Sequence, residues 1–139
     1  MKISPCGWYC IKEPEYWLCL DTPGSIRLTS PDGTARIEIS SARKEEVITE
    51  TDIWELRDEA AKDIVLPVNE TSAYSHPLQP NIECVQTVFN DSANVICQVF
   101  AYWGHYCVSL QLFAPTSTLE ESAPLFKSLV ESLQPMTMD

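Results

Sequence analysis

The chain has 139 residues, 45% apolar and 21% charged, which places it with ordinary globular domains and sets aside fibrous and disordered classes. Twenty acidic residues against nine basic ones leave a formal charge of −11, so a phosphate backbone is repelled and an anionic membrane surface disfavoured. No run approaches the roughly 20 apolar residues that span a bilayer, so the expectation is one cytoplasmic domain that meets neither nucleic acid nor membrane.

Pro5, Gly7, Lys12, Glu13 and Pro14 interrupt the N-terminus, which shows no apolar stretch of signal-peptide length. Residues 1–8 and 135–139 read as loose ends of the single domain spanning 1–139. Six cysteines in a chain long enough to build its own core read as reduced thiols rather than as a disulfide framework.

Three short strands are expected first. Tyr16, Leu18 and Leu20 alternate with Trp17 and Cys19, and the DTPG stretch at 21–24 then turns the chain. Ile26 and Leu28 alternate with Arg27 and Thr29, up to the SPDG turn at 30–33. In ARIEIS, Ile37 and Ile39 share one face while Arg36, Glu38 and Ser40 share the other, a strand dry on one side only.

From Thr49 the period lengthens. Thr49 or Thr51 can cap a helix whose positive first turn suits Asp52 and Glu55, and Ile53, Leu56, Ala60 and Ile64 form its stripe up to Pro67. Strand chemistry returns in VNETSAY and IECVQTVF, and NDSAN at 90–94 reads as a turn before two long strands, VICQVFAY and HYCVSLQLF. A second helix starts near Thr118, which has capping-box spacing to Glu121; Pro124 disturbs its first turns, and Phe126, Leu129, Val130 and Leu133 make its stripe. The order β-β-β-α-β-β-β-β-α implies an α+β fold, an antiparallel sheet of about six or seven strands with two helices packed on one face.

Residues 97–113, CQVFAYWGHYCVSLQLF, crowd two cysteines, one histidine and five aromatics around Gly104. A two-residue turn at Trp103-Gly104 would set Tyr102 against His105 and Phe100 against Cys107 on a mixed face. Ala101 and Tyr106, Val99 and Val108, Cys97 and Leu110 would share the opposite, almost wholly apolar face. Cys97 and Cys107 then point to opposite sides and cannot share a bond or an ion. His105 would lie two residues from Cys107 on one strand, about 7 Å away and too far for a hydrogen bond, so it reads as a structural residue.

Other constellations are weaker. Cys6-Gly-Trp-Tyr-Cys10 has three intervening residues where the thioredoxin pattern has two. A metal-binding module would need Cys6, Cys10, Cys19 and His76 to converge without any Cys-x2-Cys pair. A small hydrolase or thiol enzyme would need Cys107 or Cys84 activated by a histidine. Four glycines and the lack of any Walker, nucleophile-elbow or dinucleotide pattern argue against a phosphate-cradling loop. No cofactor and no metal ligand set is expected.

The tryptophan- and tyrosine-rich first strand, the PDG turn into an I-E-I strand and the final helix LFKSLVESLQP together resemble the PsbP-like fold over residues 9–135. That resemblance implies an antiparallel sheet with helices against it and no catalytic residues, since members mostly bind other macromolecules; some bacterial relatives act as chaperones for secreted effectors. The expectation is therefore a non-enzymatic protein-binding, adaptor or chaperone-like protein of bacterial type. Its contact surface would be Phe100, Tyr102, Trp103, His105, Cys107 and Phe113, and its partner another protein or a second copy of itself.

Overall fold

The computed structural model describes residues 1–136. The strands are β1 (Lys2–Ile3), β2 (Tyr9–Ile11), β3 (Leu18–Thr22), β4 (Ser25–Thr29), β5 (Arg36–Arg43), β6 (Val68–Ser75), β7 (Glu83–Asn90), β8 (Asn94–Trp103), β9 (Tyr106–Pro115) and β10 (Gln134–Pro135). Helix α1 (Glu50–Ala61) joins β5 to β6, and α2 (Leu119–Glu131) follows β9 through one 3-10 turn. Seven strands form an antiparallel sheet in the order β3-β4-β5-β9-β8-β7-β6. A second sheet, β1-β2-β10, brings both ends of the chain together, so residues expected to be loose at 1–8 and at 135 carry paired strands. Residues 137–139 of the expected tail lie outside the described residues.

The turn letters act locally as their chemistry dictates. Asp91 accepts from the amides of Ala93 and Asn94, which closes the β7–β8 turn. Gly33, at φ +76°, adopts a conformation that costs other residues about 1–2 kcal/mol, and its amide donates to Ser30 O. Thr49 caps α1 reciprocally: its hydroxyl accepts from Asp52 N, and the Asp52 carboxylate accepts from Thr49 N at 2.9 Å. At α2 the expected box does not form. Thr118 makes no side-chain cap, because a 3-10 turn over Thr116–Thr118 already leads the chain into the helix, and Pro124 is accommodated inside it.

The β8–β9 turn sits one residue later than expected. Trp103 pairs with Tyr106 and Tyr102 with Cys107, leaving Gly104 and His105 as the two turn residues, with Gly104 at φ +53°. Moving the turn by one residue slides the pairing by two, and side chains alternate with period two, so every residue keeps its face. Cys97 and Cys107 do lie on opposite faces, as the alternation requires.

One face of the large sheet presents Ile26, Leu28, Ile37, Ile39, Val99, Leu110 and Leu112. Phe126, Leu129 and Val130 of α2, with Tyr9 and Ile11 of the small sheet, cover it. The expectation that both helices share this face is corrected: α1 lies on the other side, where Ile53 packs with Ile48, Val85, Phe100 and Cys107. The reason is twofold. The small sheet and α2 already fill the first face, and α1 runs from central β5 to edge β6 across a second apolar patch that also needs cover. Towards β4 and β5 this second face is polar, with Glu38 bridging Arg27 at 2.8 Å and Arg36 at 3.1 Å.

Candidate functional site

The six residues expected to form a contact surface are dispersed. Phe100 and Cys107 are 6% and 4% exposed beneath α1, with Tyr102 half-buried beside them. Trp103 belongs to the opposite face, 6% exposed and stacked on Tyr106 with ring centroids 5.9 Å apart. Phe113 is half-buried with the Arg36 guanidinium 4.3 Å above its ring. His105 occupies the turn, and its Nδ1 lies 3.2 Å from Lys44 O. Gly104 O and His105 O accept from Ile48 N and Lys44 N, so the hairpin tip anchors the segment that leads into α1. At Phe100 and Cys107 the mixed face is covered by the chain's own helix. Alternation identified the face correctly, but only the path of α1 determines whether it is wet.

Burial governs three of the six thiols. Burial pushes Cys107 and Cys97 up to about 12. Burial pushes Cys84 up to about 11, partly opposed by its hydrogen bond with Tyr74. All three are thiols rather than thiolates near neutral pH. Cys6 shifts the other way: partial burial raises it, but hydrogen bonds with Ser4 and Ser41, at 3.4 and 3.2 Å, outweigh that and lower it.

The proposed metal set also disperses. Cys6 meets Ser41, Cys10 reaches towards Gln134, and Cys19 lies 3.6 Å from Asp21. Buried His76 is held by its own bonds, its Nδ1 accepting from Leu78 N and Gln79 N while Nε2 donates to Val130 O at 2.8 Å. Among the described residues no three metal-ligating side chains converge.

What the fold does assemble is an apolar cleft of about 580 Å³ between α2 and the β6–β8 part of the sheet. Its floor is Val88, Val95, Cys97 and Leu112, its far wall Leu119, Ala123 and Phe126, and its near edge Tyr74 and Ser75. A volume of this size falls within the range of ligand and side-chain pockets. Lys127 and Glu131 stand at the rim, and Glu70 is close enough to raise the Cys97 thiol further. The helical wall runs through Leu119, Ala123, Lys127 and Glu131 at four-residue steps, a stripe beside the one that packs into the core. That spacing is visible in the sequence, and it is the one signal that could have pointed to the cleft.

No family model matches the chain, and no curated protein matches it. Among solved structures, the cyanobacterial PsbP (CyanoP) of Synechocystis sp. PCC 6803 superimposes with a TM-score of 0.65 at 9% identity, covering 92% of each chain. LpqN of Mycobacterium tuberculosis, described as involved in cell envelope biogenesis, superimposes with a TM-score of 0.57 at 13% identity, covering 91% of this chain and 82% of that one. At such identities the likeness concerns architecture alone: the chain has the PsbP-like fold.

Proposed function

We propose that this chain is a non-enzymatic protein-binding module that holds a segment of another protein. The observation that carries the reading is the open apolar cleft beside α2, which none of the described residues fills. The buried thiols support it from the other side, because Cys84, Cys97 and Cys107 are held protonated and so are poor nucleophiles. The proposal includes a reducing, cytoplasmic setting, which six free cysteines would suit.

Two measurements test it. A photoreactive side chain placed at Glu120, on the first turn of α2, should trap one discrete protein in native lysate; trapping nothing overturns the reading. Thiol labelling at neutral pH should modify Cys6 first and Cys97 and Cys107 last, since hydrogen bonds favour the Cys6 thiolate while burial disfavours that of the other two. Fast, selective labelling of Cys84 or Cys107 would instead favour a thiol enzyme.

A further inference from the structure

Strand β6 ends the large sheet, so among the described residues no strand pairs with its outer side. It is eight residues long and exposed at six of them; a register shift between Val68 and Glu70 and the Glu70 charge guard its start, but from Thr71 to Ser75 it carries no charge, proline or bulge. Long unguarded edges are uncommon, since their free amides and carbonyls invite another strand. The alternation of the ladder shows which groups are free. His76 N donates inward to Ile82 O at 2.9 Å, so Tyr74 and Ser72 also direct their backbone groups towards β7. The amides and carbonyls of Thr71, Ala73 and Ser75 therefore face outward.

The same edge borders the cleft. On the α2 side of the sheet β6 presents Glu70, Ser72 and Tyr74 in alternation, and exposed Ser72 leaves a low point between the other two. A strand added about 4.8 Å beyond β6 would send alternate side chains to that side, where long ones can lean over Ser72 into the apolar space. The charge selects among possible occupants. Glu70 and Glu131 border the space against Lys127, and the whole chain carries −11. A second copy would bring the same acidic field, whereas a basic segment would be drawn in.

We propose that β6 accepts an extended, basic segment of the partner protein as an eighth strand of the sheet, with apolar side chains of that segment seated in the cleft beside α2. The proposal rests on the protein-binding reading and names its site and the chemistry of the partner. Backbone pairing supplies register, the cleft supplies the apolar anchor, and the acidic surroundings supply the preference for lysine and arginine.

The test is a displayed library of peptides about ten residues long, selected against the full chain. Enriched sequences should carry apolar residues at alternate positions with net positive charge. Ala73→Pro removes one outward amide while leaving the β6–β7 ladder intact, as edge strands tolerate. It should weaken the selected peptides at least about tenfold with an unchanged thermal midpoint. Ala123→Trp fills the cleft from the helical wall and should weaken them comparably, and Glu70→Lys should weaken basic peptides while leaving neutral ones unaffected. Binding that survives both Ala73→Pro and Ala123→Trp overturns the strand-addition site but leaves a protein-binding role standing, as would enrichment of acidic peptides. A concentration-dependent dimer in sedimentation, abolished by Ala73→Pro, would assign the edge to a second copy and overturn the proposal. If no sequence is enriched, the proposal falls, while the lysate cross-link decides the broader reading separately.

Discussion

The two faces of the seven-stranded sheet are covered by different physics. Where α2 and the small sheet meet the large sheet, Tyr9, Ile11, Leu110, Leu129 and Leu133 are each 1% exposed or less, so apolar area does the holding. Beneath α1 only Ile53 of the helix is fully buried, and directional contacts carry much of the rest. Arg57 donates from Nε to Thr87 Oγ1 at 3.2 Å and from Nη2 to Thr71 Oγ1 at 3.0 Å, while Lys44 reaches Asp52 at 3.0 Å. This second face also holds an imperfection. Gln98 is 0% exposed, opposite Gln111, and among the described residues neither its amide nitrogen nor its oxygen has a hydrogen-bond partner. A large apolar interface registers lost volume, whereas a small one fixed by directional bonds shows each unmade bond as a cost.

Substitutions can sharpen or break that contrast. The largest difference is expected between the two helices. Leu129→Ala should lower the unfolding free energy in urea by about 3–4 kcal/mol, and Ile53→Ala by about 2 kcal/mol, because the open clefts beside α1 let its surroundings relax. Equal costs would mean that the two helices hold the sheet in the same way. Replacing the unpartnered amide by Gln98→Leu should stabilise the protein by about 1–2 kcal/mol in the same assay, since the buried polar group gains nothing in the folded state. A loss of stability there would show that Gln98 is satisfied. Thr49→Ala removes the reciprocal cap and should cost about 1 kcal/mol, seen as faster amide exchange confined to α1.

The smallest effect is expected from acid. The Asp52 carboxyl is held below its ordinary value first by the Thr49 amide and then by Lys44. Its contribution is therefore present in full above the ordinary aspartate value of about 4 and is lost as pH falls through the lowered value. Amide protection in α1 should thus decline on acidification before that in α2, as followed by hydrogen exchange. Simultaneous loss in both helices would remove the distinction.

Much of this architecture is legible in the letters because the relevant forces are local. The alternation in RIEIS separates Ile37 and Ile39 from Arg36 and Glu38, and the structure keeps that division. Thr49 followed by Asp52 three residues later announces the start of α1. The β8–β9 hairpin shows how a local error can be harmless: the turn falls at Gly104-His105 rather than one residue earlier, yet period two returns Phe100 and Cys107 to the same side. His105 changes role through that shift, from a paired strand residue to a turn residue that binds Lys44 O.

The expected contact surface fared differently. Alternation identified which side chains share a face, but nothing between Thr49 and Pro67 states which face a helix from β5 to β6 will cross. Phe100 and Cys107 are therefore interior and not exposed. The cleft escaped for a related reason, since its walls come from β6, β7, β8, β9 and α2, and its width depends on how far α2 sits from the sheet edge.

The sequence alone determined the strands of the large sheet in outline, the turns between them to within a residue, a helix start at Thr49 or Thr51 and the segregation of Cys97 from Cys107, because each follows from backbone sterics and side-chain period over a few residues. The tertiary structure alone decided that the helices take opposite faces, that both chain ends join in one small sheet, and that an apolar cleft opens beside an unpaired edge. Those outcomes depend on contacts between residues far apart in the chain, where many packings satisfy the same local pattern and only the summed burial selects one.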